Sequence, residues 1–368
     1  MITPISVPFA DLHAQYLSLK IEIDQAVSAV IEESAFIRGP FVDQFEKNFK
    51  ELLGIGYCVS CANGTDAIYI ALKGMGIEPG DEVITTAHSW ISTSETITQA
   101  GGRVVFCDTT PDTFTIDPEQ IKSKITKRTV GIIPVHLYGN PADMDSIMEI
   151  ANKNNLWVVE DCAQAHLARY KGKQVGTFGN AATFSFYPGK NLGAMGDAGA
   201  LVTNSEAFAN WCSLFARHGG KGEHLIEGIN SRMDGIQAAI LNVKMSWLEN
   251  WTKKRREIAK LYDNELTGFG DVQVPKVQNG NEHAYHLYVI KSEKRSHIIE
   301  KLKENGIGFS INYPKALPFY PAYSRMRHLP HDFPNAYRNQ DMILSLPMFP
   351  EMALWQQKKV IDVVKMCF

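Results

Sequence analysis

No apolar run in this 368-residue chain approaches the roughly 18 residues that a bilayer-spanning helix needs. The opening segment, Met1 to Phe9, lacks the basic start and apolar core of a signal peptide, so no export signal is expected. Cysteine is scarce, at 58, 61, 107, 162, 212 and 367, and only Cys58-Val-Ser-Cys61 forms a close pair. No second pair or histidine cluster at ligand spacing accompanies it, so no metal site is expected. The thiols read as small buried residues of a reducing compartment, which places the chain in the cytoplasm. Neither sign of charge dominates: 37 basic against 40 acidic residues leave a net charge of −3. That balance argues against a nucleic-acid partner held by phosphate neutralisation. No Gly-Lys-Ser/Thr follows four residues after a glycine, and no Gly-x-Gly-x-x-Gly follows a strand, so neither a P-loop nor a dinucleotide fingerprint is present. Internal repeats and low-complexity segments are also missing.

What is present is an ordinary globular composition, 45% hydrophobic and 21% charged. The length suits two domains, or one large domain with an appendage. A chain of this size buries about three quarters of its unfolded surface and needs no disulfide or metal to fold. In the first two thirds, short apolar strands alternate with helices. Tyr57 to Ala62, Glu82 to Thr85, Arg103 to Cys107, Val130 to Val135, Trp157 to Val159, Ala181 to Phe186 and Ala200 to Thr203 read as strands. Ala67 to Lys73, Ser92 to Ala100 and the stretch carrying Met144, Ile147, Met148 and Ala151 read as helices. This alternation implies an α/β fold with parallel pairing, and such folds place their sites at the carboxyl ends of strands. A long helix is expected from Arg232 to Leu266, and its basic run Lys253-Lys254-Arg255-Arg256 reads as a solvated face. A smaller α+β unit then follows: strand His286 to Ile290, helix Ser296 to Asn305, strand Ile307 to Asn312.

Three segments can carry chemistry. Asn63-Gly64-Thr65-Asp66 makes a turn from strand to helix, where free N–H groups and the helix dipole suit a phosphate. The same residues make an ordinary helix cap. Asp161 ends an apolar strand, where a carboxylate needs a cation or several donors, or caps the next turn. Phe184 to Gly199 runs from a strand into a loop with glycines at 189, 193, 196 and 199 and one lysine, Lys190. Burial at a strand mouth would free the lone pair of that amine, while a surface lysine in a flexible loop is the plainer reading. The order is a phosphate turn, then Asp-x-x-Gln, then Ser-Phe-Tyr-Pro-x-Lys 29 residues after the aspartate. This set matches the needs of pyridoxal phosphate: an amine for its aldehyde, a carboxylate for its ring nitrogen and an anion cradle.

With these motifs in place, the sequence resembles the sugar aminotransferases of the DegT/DnrJ/EryC1/StrS family. The resemblance runs from Val7-Pro8-Phe9-Ala10-Asp11-Leu12 through Phe36-Ile37-Arg38-Gly39-Pro40, Ala62 to Ala67, Val135-His136-Leu137-Tyr138-Gly139, Glu160 to His166, Phe184 to Gly199 and Asn230 to Asp234 to Leu344-Ser345-Leu346-Pro347-Met348. It implies a three-layer α/β/α transferase fold of fold type I, with a mostly parallel central sheet. It also implies a large domain over 1–249, whose N-terminal segment packs on the small domain, and a small α+β domain over 250–368. Lys190 would bind the cofactor's aldehyde and Asp161 would pair with the ring nitrogen. Gln164 would face the ring's phenolic oxygen, and Trp90 would stack on the ring. Gly64, Thr65 and Ser185 would hold the phosphate, which Asn230 of a second subunit would also reach, making a homodimer with shared active sites. Tyr187, Tyr313, His88 and His166 are candidate substrate contacts, although for each histidine a structural role is an equal alternative, as it is for His136, Arg217 and His218. The implied reaction moves an amino group from L-glutamate to a nucleotide-linked keto sugar, with a lean to 3-keto sugars. A dehydratase or lyase on similar sugars, and a non-catalytic regulatory protein, are the other readings. Asn312 stands where many members have a histidine before Tyr-Pro, and Gly189 where Thr or Ser is usual.

Overall fold

The computed structural model describes residues 6–368. Of the segment examined for an export signal, residues 1–5 lie outside the described residues. The strands, in chain order, are β1 (Tyr57–Cys61), β2 (Glu82–Thr86), β3 (Arg103–Cys107), β4 (Thr129–Ile133), β5 (Trp157–Asp161), the short pair β6 (Arg169–Tyr170) and β7 (Lys173–Gln174), β8 (Ala181–Ser185), β9 (Gly199–Thr203), β10 (Tyr288–Lys291) and β11 (Ile343–Leu346). Seven of them form one sheet in the order β1-β9-β8-β5-β4-β2-β3. From β8 to β3 every pairing is parallel, and β9 runs antiparallel to both of its neighbours.

The sequence dictates this arrangement through burial. All five residues of β2 and of β9 are buried, and so are the last four of β5. Strands covered on both faces carry runs of Val, Ile, Ala and Cys rather than alternation. The crossover helices supply the covering layers. Helix Met144–Lys153 turns Met144, Ile147 and Ala151 inward as the sequence spacing suggests, with Ile150 as the fourth buried residue and Met148 only partly buried. Helix Gly64–Gly74 is capped by Asn63, whose side chain accepts from the Asp66 N–H. All six cysteines are buried and unpaired.

Two corrections concern the C-terminal third. The stretch from Arg232 to Leu266 is not one helix but two, Gly235–Met245 and Leu248–Leu266. The turn at Ser246-Trp247 lets Leu241 and Met245 pack in the core around the large sheet, while Ile258, Ala259, Tyr262 and Leu266 pack in a separate core with β10 and β11. Ile307 to Asn312 does not form a strand. It makes single bridges, Val7 with Ile307 and Ser310 with Ser345, before Asn312 and Tyr313 reach a cavity wall. With a single bridge to each neighbour, no ladder of successive pairs is built. Val7 thus belongs to the second core.

Candidate active site

The carboxyl ends of β2, β5 and β8 and the start of helix Gly64–Gly74 open onto a cavity of about 760 Å³. Gly64, Thr65, Trp90, Asp161, Gln164, Ser185, Tyr187, Lys190 and Tyr313 all line it. Five segments far apart in sequence therefore converge, and all but the one carrying Tyr313 follow strand ends, as the strand-end rule requires.

Asp161 ends β5 almost wholly buried. Its Oδ2 accepts from the Thr93 hydroxyl at 2.8 Å and its Oδ1 from the Ala163 N–H at 3.1 Å. Two donors, one on each oxygen, fix the plane of the carboxylate. Thr93 lies on helix Ser92–Gln99, and its hydroxyl is 3.2 Å from that of Ser89. Gln164 is clamped from both sides: its Oε1 accepts from the Tyr138 N–H at 2.6 Å, and its Nε2 donates to the Tyr313 hydroxyl at 2.7 Å. Trp90 is exposed at the mouth, its ring 5.4 Å from that of Tyr313.

Lys190 is half-buried in the loop after β8, its N–H bonded to the Tyr187 carbonyl at 2.8 Å. Burial pulls the ammonium down to about 8, opposed by the Asp161 carboxylate. The loop is anchored from below: Lys244 Nζ donates to the Gly193 carbonyl at 2.7 Å, and Gln237 Oε1 accepts from the Met195 N–H at 2.8 Å.

The start of helix Gly64–Gly74 fits a phosphate. Asn63 satisfies the Asp66 N–H, and the first N–H groups of the helix are left without intrahelical partners. A Cβ added at Gly64 would come within 2.6 Å of Ser185 Cβ, so only glycine lets this turn close on β8. The Thr65 hydroxyl lies 2.7 Å from that of Ser92. An N–H cradle, two hydroxyl side chains (Thr65 and Ser185), an amine of lowered pKa and a carboxylate are the groups that pyridoxal phosphate requires.

Two of the expected residues, His88 and His166, stand elsewhere. His88 does not line the cavity; it is buried behind Tyr313, whose N–H donates to its Nε2 at 3.2 Å. Burial lowers its pKa to about 4. His166 is likewise buried outside the cavity, 5.5 Å from the rings of Phe184 and Phe186, and burial lowers its pKa to about 3. Asn230 is exposed, bridged to Arg217 and away from the cavity of its own chain. His136 is structural: its Nε2 lies 3.0 Å from Glu160 Oε2 and its Nδ1 accepts from the Ala142 N–H. Glu160 also accepts from the N–H groups of Gly176, Phe178 and Gly179. His136, Glu160 and Cys162 lie at metal-ligand distances, but these bonds already occupy both imidazole nitrogens and both carboxylate oxygens. Thr93, Asp197, Arg255 and the Phe9-Ala10 segment complete the wall without having been singled out as site residues. The hydroxyl run Ser92-Thr93-Ser94, a few residues after a buried strand, was the available signal for Thr93; nothing local ties it to Asp161, 68 positions away.

Fold and site define an α/β enzyme with an amine and a carboxylate at one cavity beside an anion cradle. The chain belongs to the DegT/DnrJ/EryC1/StrS aminotransferase family, which matches residues 18–365. It is 43% identical to a protein of Geobacillus stearothermophilus named a pleiotropic regulatory protein, over 98% of each chain. It is 40% identical to the dTDP-3-amino-3,6-dideoxy-alpha-D-galactopyranose transaminase of Aneurinibacillus thermoaerophilus, over 97% of this chain and 98% of that one. Its fold superposes on the crystal structure of Streptomyces venezuelae DesV, solved with a ketimine intermediate, at a TM-score of 0.96 and 37% identity, covering 99% of this chain and 98% of that one. The architecture is that of the pyridoxal-phosphate aminotransferases. Among the described residues, no helix is long and apolar enough to cross a membrane.

Proposed function

We propose that this chain is a cytoplasmic pyridoxal-phosphate aminotransferase that moves an amino group from L-glutamate to the 3-position of a nucleotide-linked keto sugar in amino-sugar biosynthesis. The convergence of Lys190, Asp161 and the Gly64-Thr65-Ser185 cradle on one cavity carries the reading. The name of the 40%-identical transaminase supports the sugar and the carbon.

When bound, the cofactor supplies an aldehyde that condenses with amines and a ring that accepts electrons. Gly64, Thr65 and Ser185 would hold its phosphate, Trp90 its ring face and Gln164 its phenolic oxygen. Asp161, held in place by the Thr93 hydroxyl and the Ala163 N–H, would face the ring nitrogen and hold a proton there. Lys190 has two tasks. Its lowered pKa would provide a free amine to hold the aldehyde, and that amine would also be the base for the proton on the donor's α-carbon. Tyr187 and Tyr313 line the volume left for the sugar.

We include in this reading a boundary near residues 249 and 250, supported by the two separate cores. It also includes a homodimer in which the partner's Asn230 reaches the phosphate, supported by that residue's exposure outside its own cavity. The name of the 43%-identical relative favours a second, regulatory reading. Incubating the protein with pyridoxal phosphate, L-glutamate and a dTDP-linked 3-keto-6-deoxyhexose separates the two. Mass spectrometry finds the amino sugar nucleotide and 2-oxoglutarate if the first reading holds. Binding of the sugar nucleotide without either product supports the second.

A further inference from the structure

An α-amino-acid donor brings carboxylates into the cavity, and the cavity must answer their charge. Among the described residues that line it, only Lys190 and Arg255 are cationic. Asp66, Asp161 and Asp197 are acidic, and burial holds His286 neutral. Lys190 is committed to the aldehyde and the proton, which leaves Arg255.

Arg255 lies on helix Leu248–Leu266, only 6% exposed. One nitrogen does all of its bracing: Nη1 donates to the carbonyls of Tyr285, His286 and Met348 at 3.2, 3.4 and 2.9 Å. Its Nε is buried with no partner. Among the described residues, no carboxylate lies within ion-pair distance of the guanidinium. Glu351 is the nearby acidic group that opposes its desolvation, which still pulls the guanidinium down to about 10. A buried cation braced only by neutral carbonyls is an unusual expense unless an anion completes it. Nη2 has no partner among the described residues and, unlike Nε, is not sealed off, so it can give a charge-assisted bond to a carboxylate oxygen.

We propose that the guanidinium of Arg255, through Nη2, is the subsite for a carboxylate of the amino donor. The assignment rests on the aminotransferase reading for the identity of the ligand, and its test separates the two. Calorimetry measures glutarate, a dicarboxylate that cannot donate an amine, binding to the cofactor-loaded full chain and to its Arg255→Gln and Arg255→Lys variants. Wild type binds glutarate. Arg255→Gln weakens binding about tenfold or more, and Arg255→Lys, which keeps a point charge without Nη2, falls between. Arg255→Lys also preserves a donor for the three carbonyls, so it serves as the test if Arg255→Gln does not fold. In the same samples the half-saturating L-glutamate concentration for cofactor conversion rises in parallel, with a smaller change in the limiting rate. No glutarate binding by wild type, or equal binding by wild type and Arg255→Lys, overturns the subsite. Glutarate binding that depends on Arg255, without conversion by glutamate, leaves the subsite standing and removes the aminotransferase reading instead.

Discussion

A lysine amine near neutrality is the chemical core of the account. Lys190 titrates at about 8 because burial penalises its charge, against 10.5 for an unperturbed lysine. The sign is that of a depressed base: below pH 8 the amine is mostly protonated and unreactive, and above it the free base dominates. Capture of pyridoxal phosphate by cofactor-free protein therefore accelerates with pH and levels off above about 8. Stopped-flow absorbance reads this directly, and a rise that continues toward pH 10 contradicts the burial argument. Thr93 acts one bond further out. Thr93→Val removes the donor to Asp161 Oδ2 and keeps the shape, leaving a buried carboxylate oxygen unanswered at about 1–3 kcal/mol. Turnover should fall about tenfold with cofactor still bound, and Thr93→Ser should restore most of it. Unchanged turnover in Thr93→Val removes the residue from the account.

At the scale of elements, the site depends on how closely a helix start approaches a strand end. Gly64 sits where a methyl group would meet Ser185 Cβ at 2.6 Å, so Gly64→Ala must push helix Gly64–Gly74 away from β8. Such overpacking costs about 1–3 kcal/mol and disturbs the N–H cradle. A spectrophotometric titration should show pyridoxal phosphate bound about tenfold more weakly, and an unaltered affinity places the phosphate elsewhere. The elements themselves were legible because the strands are short, apolar and covered on both faces, so that composition and punctuation agree. Lys190, Asp161 and Gly64 were legible because each lies at a strand end. Arg255 was not. Its basic run reads as a solvated helix face, yet Trp251, Thr252, Arg255, Ile258, Ala259 and Tyr262 are all buried at helical spacing, which places the arginine on the inner stripe. Helical phase, rather than local charge, was the missed signal. For His88 and His166 strand-end position left a substrate contact and a structural role equally open, because it alone does not tell a cavity wall from the layer behind it.

On the scale of the whole molecule, a buried ionic group ties the sheet to the loop after β7. Glu160 accepts from His136 and from the N–H groups of Gly176, Phe178 and Gly179. Burial pushes its carboxyl up, but His136 and these N–H groups more than offset it and hold it below the usual value. A carboxyl lowered in the folded state contributes stability above its unfolded pKa, about 4.3, which is lost as pH falls through the folded value. Glu160→Gln places an amide donor among donors and should cost about 3 kcal/mol. Thermal melts at neutral pH should show the loss, and the gap between variant and wild type should narrow in acid. A gap that stays constant with pH contradicts the ionic role.

The central claim is that this cavity binds pyridoxal phosphate through Lys190 and accepts an amine from an amino acid. The absorption spectrum of purified protein with pyridoxal phosphate, before and after L-glutamate, tests it most directly. The account predicts a yellow band from lysine-bound cofactor that Lys190→Ala abolishes, and its replacement by the pyridoxamine phosphate band when glutamate is added. A yellow band that glutamate leaves untouched contradicts the donor half of the claim, and a protein that never turns yellow contradicts the role of Lys190.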